Sequence, residues 1–262
     1  MLFPSGAVRF IGLMAGHKGL RVQKYLRIIT GNSGKPPKEM RMRTVVFDLD
    51  GTLADTGRDL IAAANHCFRG LGHGDLLDPE YDKSTAFRGG RAMLKLGFER
   101  LNGVADPAAI DAQFPILIEA YAADIDRYTV LYPGVIAAVE KLLSAGYQTA
   151  ICTNKPEGLA EVLMTNLGVR GLFGALIGAD TLPVRKPDPA PYNEAVLRVG
   201  GSLEQSLLVG DTSTDRETAR AAGVASVLVT FGPDGRSVAD LSPEALLDHY
   251  DELGDVVQRL IG

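Results

Sequence analysis

The sequence predicts an α/β fold, a mostly parallel sheet with helices on both faces, plus a small all-helical part inserted early. Three observations predict it. From Tyr132 to the C-terminus, short apolar runs of strand length alternate with helix-length amphipathic stretches. Polar residues collect directly after those apolar runs, where an open parallel sheet offers its ligand crevice. Between Arg58 and Tyr128 the apolar spacing is helical and no convincing strand occurs.

The first strand is Val45-Val46-Phe47, an apolar run typical of a buried parallel strand. It stops at Asp48-Leu49-Asp50-Gly51-Thr52. Two carboxylates two residues apart at a strand end point into one crevice, and glycine lets the backbone turn its N–H groups toward an anion. By itself, Asp-Gly after a strand is equally a turn signal. Leu60, Ile61, Ala64 and Phe68 then mark a helix stopped by Gly70–Gly74. Ala92–Leu101, Ala108–Leu117 and Ile118–Ile125 read as further helices. About 70 helical residues after a strand make a separate lid or cap.

Beyond Tyr132-Pro133-Gly134 the elements alternate. Pro133–Ala145 is a helix, with Pro in its first turn and Gly146 at its end. Tyr147–Cys152 is a strand, Pro156–Leu167 a helix and Ala175–Gly178 a short strand. Pro189–Val199 is a helix, Ser206–Val209 a strand, Thr214–Ala222 a helix and Ser226–Thr230 a strand. Asp251–Leu260 is a terminal helix. The expected organisation is a core at 44–57 and 129–262, a cap at 58–128 and a basic, poorly ordered extension at 1–43.

Composition agrees with a globular chain. Its 262 residues are 46% hydrophobic and 23% charged, enough for one core and a smaller second one. The net charge of −5 makes nucleic acid a poor partner. Two cysteines form neither a disulfide framework nor a zinc site and suit a reducing, cytoplasmic setting. No apolar run is long enough to span a membrane. The charge is uneven, however. Residues 1–43 hold nine Lys/Arg and only Glu39, a balance of +8, which leaves −13 for the remainder. The patches Val8–Met14 and Tyr25–Ile29 and the linker-like Gly31–Pro37 lack the order of a secretory signal. An Arg-rich, acid-poor leader fits a transit peptide. The favoured reading is instead a true start at Met42, or a tail the fold does not need.

The chemistry lies at the strand ends. The first ends in Asp48 and Asp50, the second in Thr153-Asn154-Lys155-Pro156. Arg185-Lys186-Pro187-Asp188-Pro189 lies near the next crossover, and the following strand ends in Gly210-Asp211-Thr212-Ser213-Thr214-Asp215. Taken singly, Thr153 is as good a helix cap, Lys186 a solvated loop lysine and Asp211 a turn residue. Asp215 alone could merely answer a helix dipole. Together they supply carboxylates for a hard cation, a hydroxyl, a lysine and turning backbone, a set suited to phosphate and magnesium.

This ordered set resembles the haloacid dehalogenase-like hydrolase superfamily over roughly residues 44–262. All four of its motifs occur in order: FDLDGT at 47–52, Thr153-Asn154, Lys186 in RKPDP, and GDTSTD at 210–215. The helical insert matches the subgroup with a helical cap. Within that subgroup, TNKP, LGVRGLFGALIGADTLPVRKPDPAPY and VGDTSTDRETARAAG resemble the phosphoglycolate phosphatases.

The resemblance implies a Rossmann-like core and assigns roles. Asp48 is the nucleophile that forms an aspartyl-phosphate, and Asp50 is the general acid and then base. An acid at this third motif position disfavours carbon–halogen hydrolysis. Gly51, Thr52, Thr153, Asn154 and Lys186 bind the phosphoryl group, with Lys186 also neutralising Asp48. Mg2+ is held by Asp48, the Asp50 carbonyl and Asp211, with Asp215 as a ligand through water or as the group orienting Lys186. The expected substrate is 2-phosphoglycolate. Arg88 and Arg91 in the cap are candidates for its carboxylate, or else two solvated arginines. Another small phosphate (nucleotide, sugar phosphate or pyrophosphate), a phosphoglucomutase-like reaction and a silent binding module remain open. The expected partner is a small phosphorylated molecule, with no nucleic acid or membrane, and the chain a monomer or homodimer.

Overall fold

The structure, a computed structural model, describes residues 42–262; the basic leader, its Met42 alternative and the linker at 31–37 concern a stretch outside the described residues. The chain opens with β1 (Met42–Phe47). After a tight loop come β2 (Ala54–Asp55) and four helices: α1 (Gly57–Gly70), α2 (Lys83–Ala86), α3 (Gly90–Asn102) and α4 (Pro107–Ala123). The chain returns through β3 (Val130–Leu131), which pairs antiparallel with β2. Then follow α5 (Val135–Ser144), β4 (Gln148–Cys152), α6 (Glu157–Asn166), β5 (Ala175–Ile177) and α7 (Ala190–Arg198). The last elements are β6 (Gly201–Gly210), α8 (Ser213–Ala222), β7 (Ala225–Val229), β8 (Ala245–Leu247) and α9 (Leu253–Ile261).

Six strands form one parallel sheet in the order β5-β4-β1-β6-β7-β8. The strands are apolar on both sides because both sheet faces are covered. Val45, Phe47, Ile151, Leu207 and Val227 point to one face, under Val139 of α5, Leu163 of α6 and Val257 of α9. Val46, Ala150, Cys152, Ile177 and Leu208 point to the other, under Tyr192 and Val196 of α7 and Ala219 of α8. Fully burying such a side chain is worth about 1.5–3 kcal/mol, against 0–1 for an exposed ion pair, so this double layer dominates the stability of the sheet.

After β1 and the helices, the chain builds β4 and β5 on one side of β1. It then crosses to build β6, β7 and β8 on the other. Phe47, at the end of β1, pairs with Ile151 of β4 and Val209 of β6. Beyond it lies the crevice where the strand order reverses.

Several features depart from the sequence expectation, among them the short helix α2 and the earlier start of β6 at Gly201. The two helices expected at Ala108–Leu117 and Ile118–Ile125 are one, capped by Asp106 with Pro107 in its first turn, and Pro115 is carried inside it. Buried Leu117 and Tyr121 hold that helix together as one packed face. The edge strand β8 has three residues, too few to show a period. Each strand of the β2–β3 ribbon has two. Finally, Phe87–Arg91 is only partly a loop, since Gly90 and Arg91 begin α3.

The helices are fixed to one another by close packing. Phe68 of α1 meets Phe98 of α3 edge-on at 5.3 Å between ring centroids. A side chain at Gly97 would come within 2.1 Å of the Phe68 ring. Asp59 in α1 accepts hydrogen bonds from the Tyr128 N–H and the Thr129 hydroxyl, tying α1 to the returning chain.

Candidate active site

The β1 ladder carries on through Asp48, whose N–H donates to the Val209 carbonyl at 2.9 Å. This contact sets the carboxylate at the crevice mouth. Its Oδ1 accepts from the Leu49 N–H at 2.7 Å and lies 3.0 Å from Lys186 Nζ. The N–H groups of Thr52, Leu53 and Ala54 all donate to the Leu49 carbonyl, closing a tight loop. Gly51 turns in it with φ +82°. A Cβ there would stand 2.2 Å from Asp211 Oδ2, so the loop needs glycine for its backbone angle and for the space.

Asp211 follows β6 and is fully buried. Its Oδ1 accepts from the Thr52 hydroxyl at 2.9 Å, whereas its Oδ2 is buried with no hydrogen bond among the described residues. Asp215, in the first turn of α8, is also fully buried. Its Oδ2 accepts from the N–H groups of Asp211 and Thr212 and from the Thr212 hydroxyl. Its Oδ1 accepts from Lys186 Nζ at 2.6 Å. Asp215 therefore orients Lys186 and caps the helix at once.

Oxygens of Asp48, Asp211 and Asp215 lie within 4.8 Å of one another. Burial above all, aided by the neighbouring carboxylates, pushes Asp48 up to about 6 despite Lys186. Burial, with Asp215 and Asp48, raises Asp211 well above the ordinary carboxylate value. Burial works against the charge of Lys186, but Asp215 and Asp48 outweigh it and raise that pKa. Three carboxylates facing one ammonium leave two negative charges uncompensated when ionised. The orphaned Asp211 oxygen and this charge excess both fit a divalent cation bound to carboxylate oxygen. Asp48 and Asp211 are the residues whose carboxylates would hold it. The Asp50 carboxylate is outside this group; its expected contribution is its backbone carbonyl.

The Asp50 side chain has other partners. The Thr56 hydroxyl donates to it at 2.6 Å, and Lys155 Nζ lies 2.8 and 2.9 Å from its two oxygens. Neither Thr56 nor Lys155 carries a role in the sequence expectation. Lys155 stood in view within TNKP, yet nothing in the sequence joins it to a carboxylate 105 residues away.

The phosphate ligands expected from the sequence separate into two groups. Thr153 lines the cavity and is positioned by its N–H bond to the Ile177 carbonyl. Asn154 lines it too, and its Nδ2 donates to the Lys186 carbonyl at 3.0 Å, bracing that loop. Thr52 is turned away, buried, with its hydroxyl on Asp211.

Above these groups is a cavity of about 630 Å³, bounded by Asp48, Asp50, Thr153 and Lys186 below and by Arg88 of the α2–α3 turn and Phe114 and Tyr121 of α4. Arg88 and Arg91 both line it. Arg91 is bound to Asp111 at 2.5 Å and lies over the Phe114 ring. Arg88 and Arg185, the latter not anticipated, have no ion-pair partner among the described residues. Another cavity, of about 660 Å³, lies between α1 and α4. Its arginines Arg58, Arg69 and Arg127 are tied to Glu80, Asp75 and Asp124, and it holds no such carboxylate cluster.

The chain is similar to known proteins over most of its length. Residues 45–229 match the family described as haloacid dehalogenase-like hydrolase. A phosphoglycolate phosphatase of Mesorhizobium japonicum is 38% identical over 83% of this chain and 96% of its own. One from Agrobacterium fabrum is 36% identical over 79% and 89%. A crystal structure of a predicted phosphoglycolate phosphatase from Haemophilus somnus superposes with a TM-score of 0.73, covering 83% of this chain and 98% of that one at 24% identity, a likeness of fold.

Proposed function

Since the chain belongs to the haloacid dehalogenase-like hydrolase family, we propose that it is a magnesium-dependent phosphatase converting 2-phosphoglycolate to glycolate and phosphate through a phosphorylated Asp48. The observation that carries the reading is the pair Asp48 and Asp50 at the floor of one cavity, with Lys186 3.0 Å from Asp48.

In the first step an Asp48 oxygen attacks phosphorus and the ester P–O bond breaks. Asp50 gives the leaving oxygen its proton. Lys186, fixed by Asp215, offsets the repulsion between Asp48 and the phosphoryl oxygens. Thr153 and the turning backbone at Gly51 hold those oxygens in line. In the second step Asp50 takes a proton from water, the water oxygen attacks phosphorus, and Asp48 leaves as a carboxylate. Bound magnesium supplies Lewis-acid charge to the phosphoryl oxygens. The helices above wall one side of the site, and Arg88, unpaired among the described residues, offers a cation to a carboxylate-bearing substrate. Arg91, engaged by Asp111, is the weaker candidate. A cytoplasmic setting is part of this reading, supported by the unpaired, buried Cys67 and Cys152. No helix among the described residues is long and apolar enough to cross a membrane.

The test is phosphate release from 2-phosphoglycolate, sugar phosphates, nucleoside monophosphates and pyrophosphate, with Mg2+ or EDTA. The reading predicts metal-dependent turnover that favours 2-phosphoglycolate. A preference for another phosphate would overturn the substrate, and turnover unaffected by EDTA would overturn the metal.

A further inference from the structure

One buried cation of the site has no part in the two steps above. Lys155 leaves the end of β4 with its side chain only 3% exposed. Its ammonium lies 2.8 and 2.9 Å from the two oxygens of Asp50 and 4.5 Å from the centroid of the Tyr121 ring. Tyr121 comes from α4, on the opposite wall of the cavity. Its hydroxyl is buried beside that ammonium and has no well-aligned hydrogen bond among the described residues. A buried ammonium and a buried hydroxyl thus stand side by side in the same cavity as the nucleophile.

Their position relative to the reaction identifies the ligand. Asp50 exchanges its proton with the leaving oxygen, so the leaving group lies against Asp50. In 2-phosphoglycolate a single methylene separates that oxygen from a carboxylate, which therefore lies about one hydrogen-bond length away. Lys155 touches both oxygens of Asp50 and so is within reach of that carboxylate. An ammonium has three donors, and two face Asp50. The third, with the Tyr121 hydroxyl, makes a pair of donors that matches the two oxygens of a carboxylate. An uncharged leaving group would leave the hydroxyl without a partner, at the cost of a buried polar atom.

We propose that Lys155 and the Tyr121 hydroxyl, with Arg88 lining the same cavity, form the subsite for the leaving group's carboxylate, selecting esters of small 2-hydroxy acids over neutral alkyl phosphates. This rests on the phosphatase reading above and deepens it. In this subsite the carboxylate shares the Lys155 charge with Asp50, so the ammonium holds the acid–base group and the leaving group side by side.

The experiment compares kcat/KM for 2-phosphoglycolate with that for ethyl phosphate, in which a methyl group replaces the carboxylate. It uses the wild type, Lys155→Gln, Lys155→Met and Tyr121→Phe. Lys155→Gln keeps a donor for Asp50 and removes the charge. Tyr121→Phe keeps the ring and removes only a hydroxyl whose neighbour is the Lys155 ammonium, and it decides the matter alone if the lysine variants do not fold. The ratio is expected to fall roughly 10- to 100-fold in the lysine variants and several-fold in Tyr121→Phe. A ratio left at the wild-type value in Lys155→Gln and Tyr121→Phe, with both rates falling together, overturns the subsite. A wild type with no preference for 2-phosphoglycolate overturns the proposed substrate instead.

Discussion

Replacing Lys186 with Met takes the ammonium from among three carboxylates while keeping the length and volume of the side chain. Lys186 Nζ lies 3.0 Å from Asp48 and 2.6 Å from Asp215. At an effective dielectric of about 20, each contact is worth roughly 6 kcal/mol before desolvation. Desolvating the ammonium cancels several kcal/mol, and breaking a buried pair costs about 3–5 kcal/mol net. The cost depends on pH with a definite sign. Burial, outweighing the lysine, already pushes Asp48 up from 3.8 to about 6; without the lysine it rises further. A carboxyl raised in the native state binds more protons there than in the unfolded chain, so stability falls as pH rises through that window. Urea unfolding in EDTA should therefore show Lys186→Met destabilised by about 3–5 kcal/mol near pH 8 and by clearly less near pH 5. Phosphate release should fall on the order of 1,000-fold or more, since the charge offsetting two anions is gone. A variant as stable as wild type near pH 8, or a penalty independent of pH, would refute the reasoning.

The same geometry carries three further expectations. Gly51→Ala forces a left-handed residue and a Cβ into the Asp211 carboxylate; calorimetry should find Mg2+ affinity weakened roughly 10- to 100-fold, and unchanged affinity would remove Asp211 from the metal site. In the wild type, Mg2+ binding has to displace protons from Asp48 and Asp211, both raised by burial. The rise in Tm given by Mg2+ is therefore full above pH 7 and shrinks as pH falls through about 6, and an equal rise at both ends would exclude these ligands. Arg88→Ala should raise KM for 2-phosphoglycolate about tenfold and leave KM for ethyl phosphate alone; equal rises would make Arg88 a general phosphate contact.

The sequence exposed what depends on the ends of strands. Asp48, Thr153 and Asp211 each follow an apolar run, and parallel strands side by side bring such ends together without further information. Lys186, in a long connection, was legible only through its place in the ordered motifs. The groups that escaped notice depend on contacts across the chain. Lys155 meets Asp50 from 105 residues away, and Tyr121 reaches the site only because α4 is one continuous helix past Pro115. Thr52 fell next to the right residues, but its hydroxyl points down at Asp211, a direction no spacing records. The ribbon of β2 and β3 and the strand β8 have two or three residues each, below the length at which a period is visible.

The central claim, two chemical steps divided between Asp48 and Asp50, is tested most directly by rapid mixing of Asp50→Asn with para-nitrophenyl phosphate and Mg2+. An aryl leaving group departs without a proton, so the first step survives the substitution, whereas the second lacks its base. The account predicts release of one nitrophenolate per site, then a stall, and no burst when Asp48→Asn is added to the same protein. Linear release at the wild-type rate, or a burst that persists without Asp48, would contradict it.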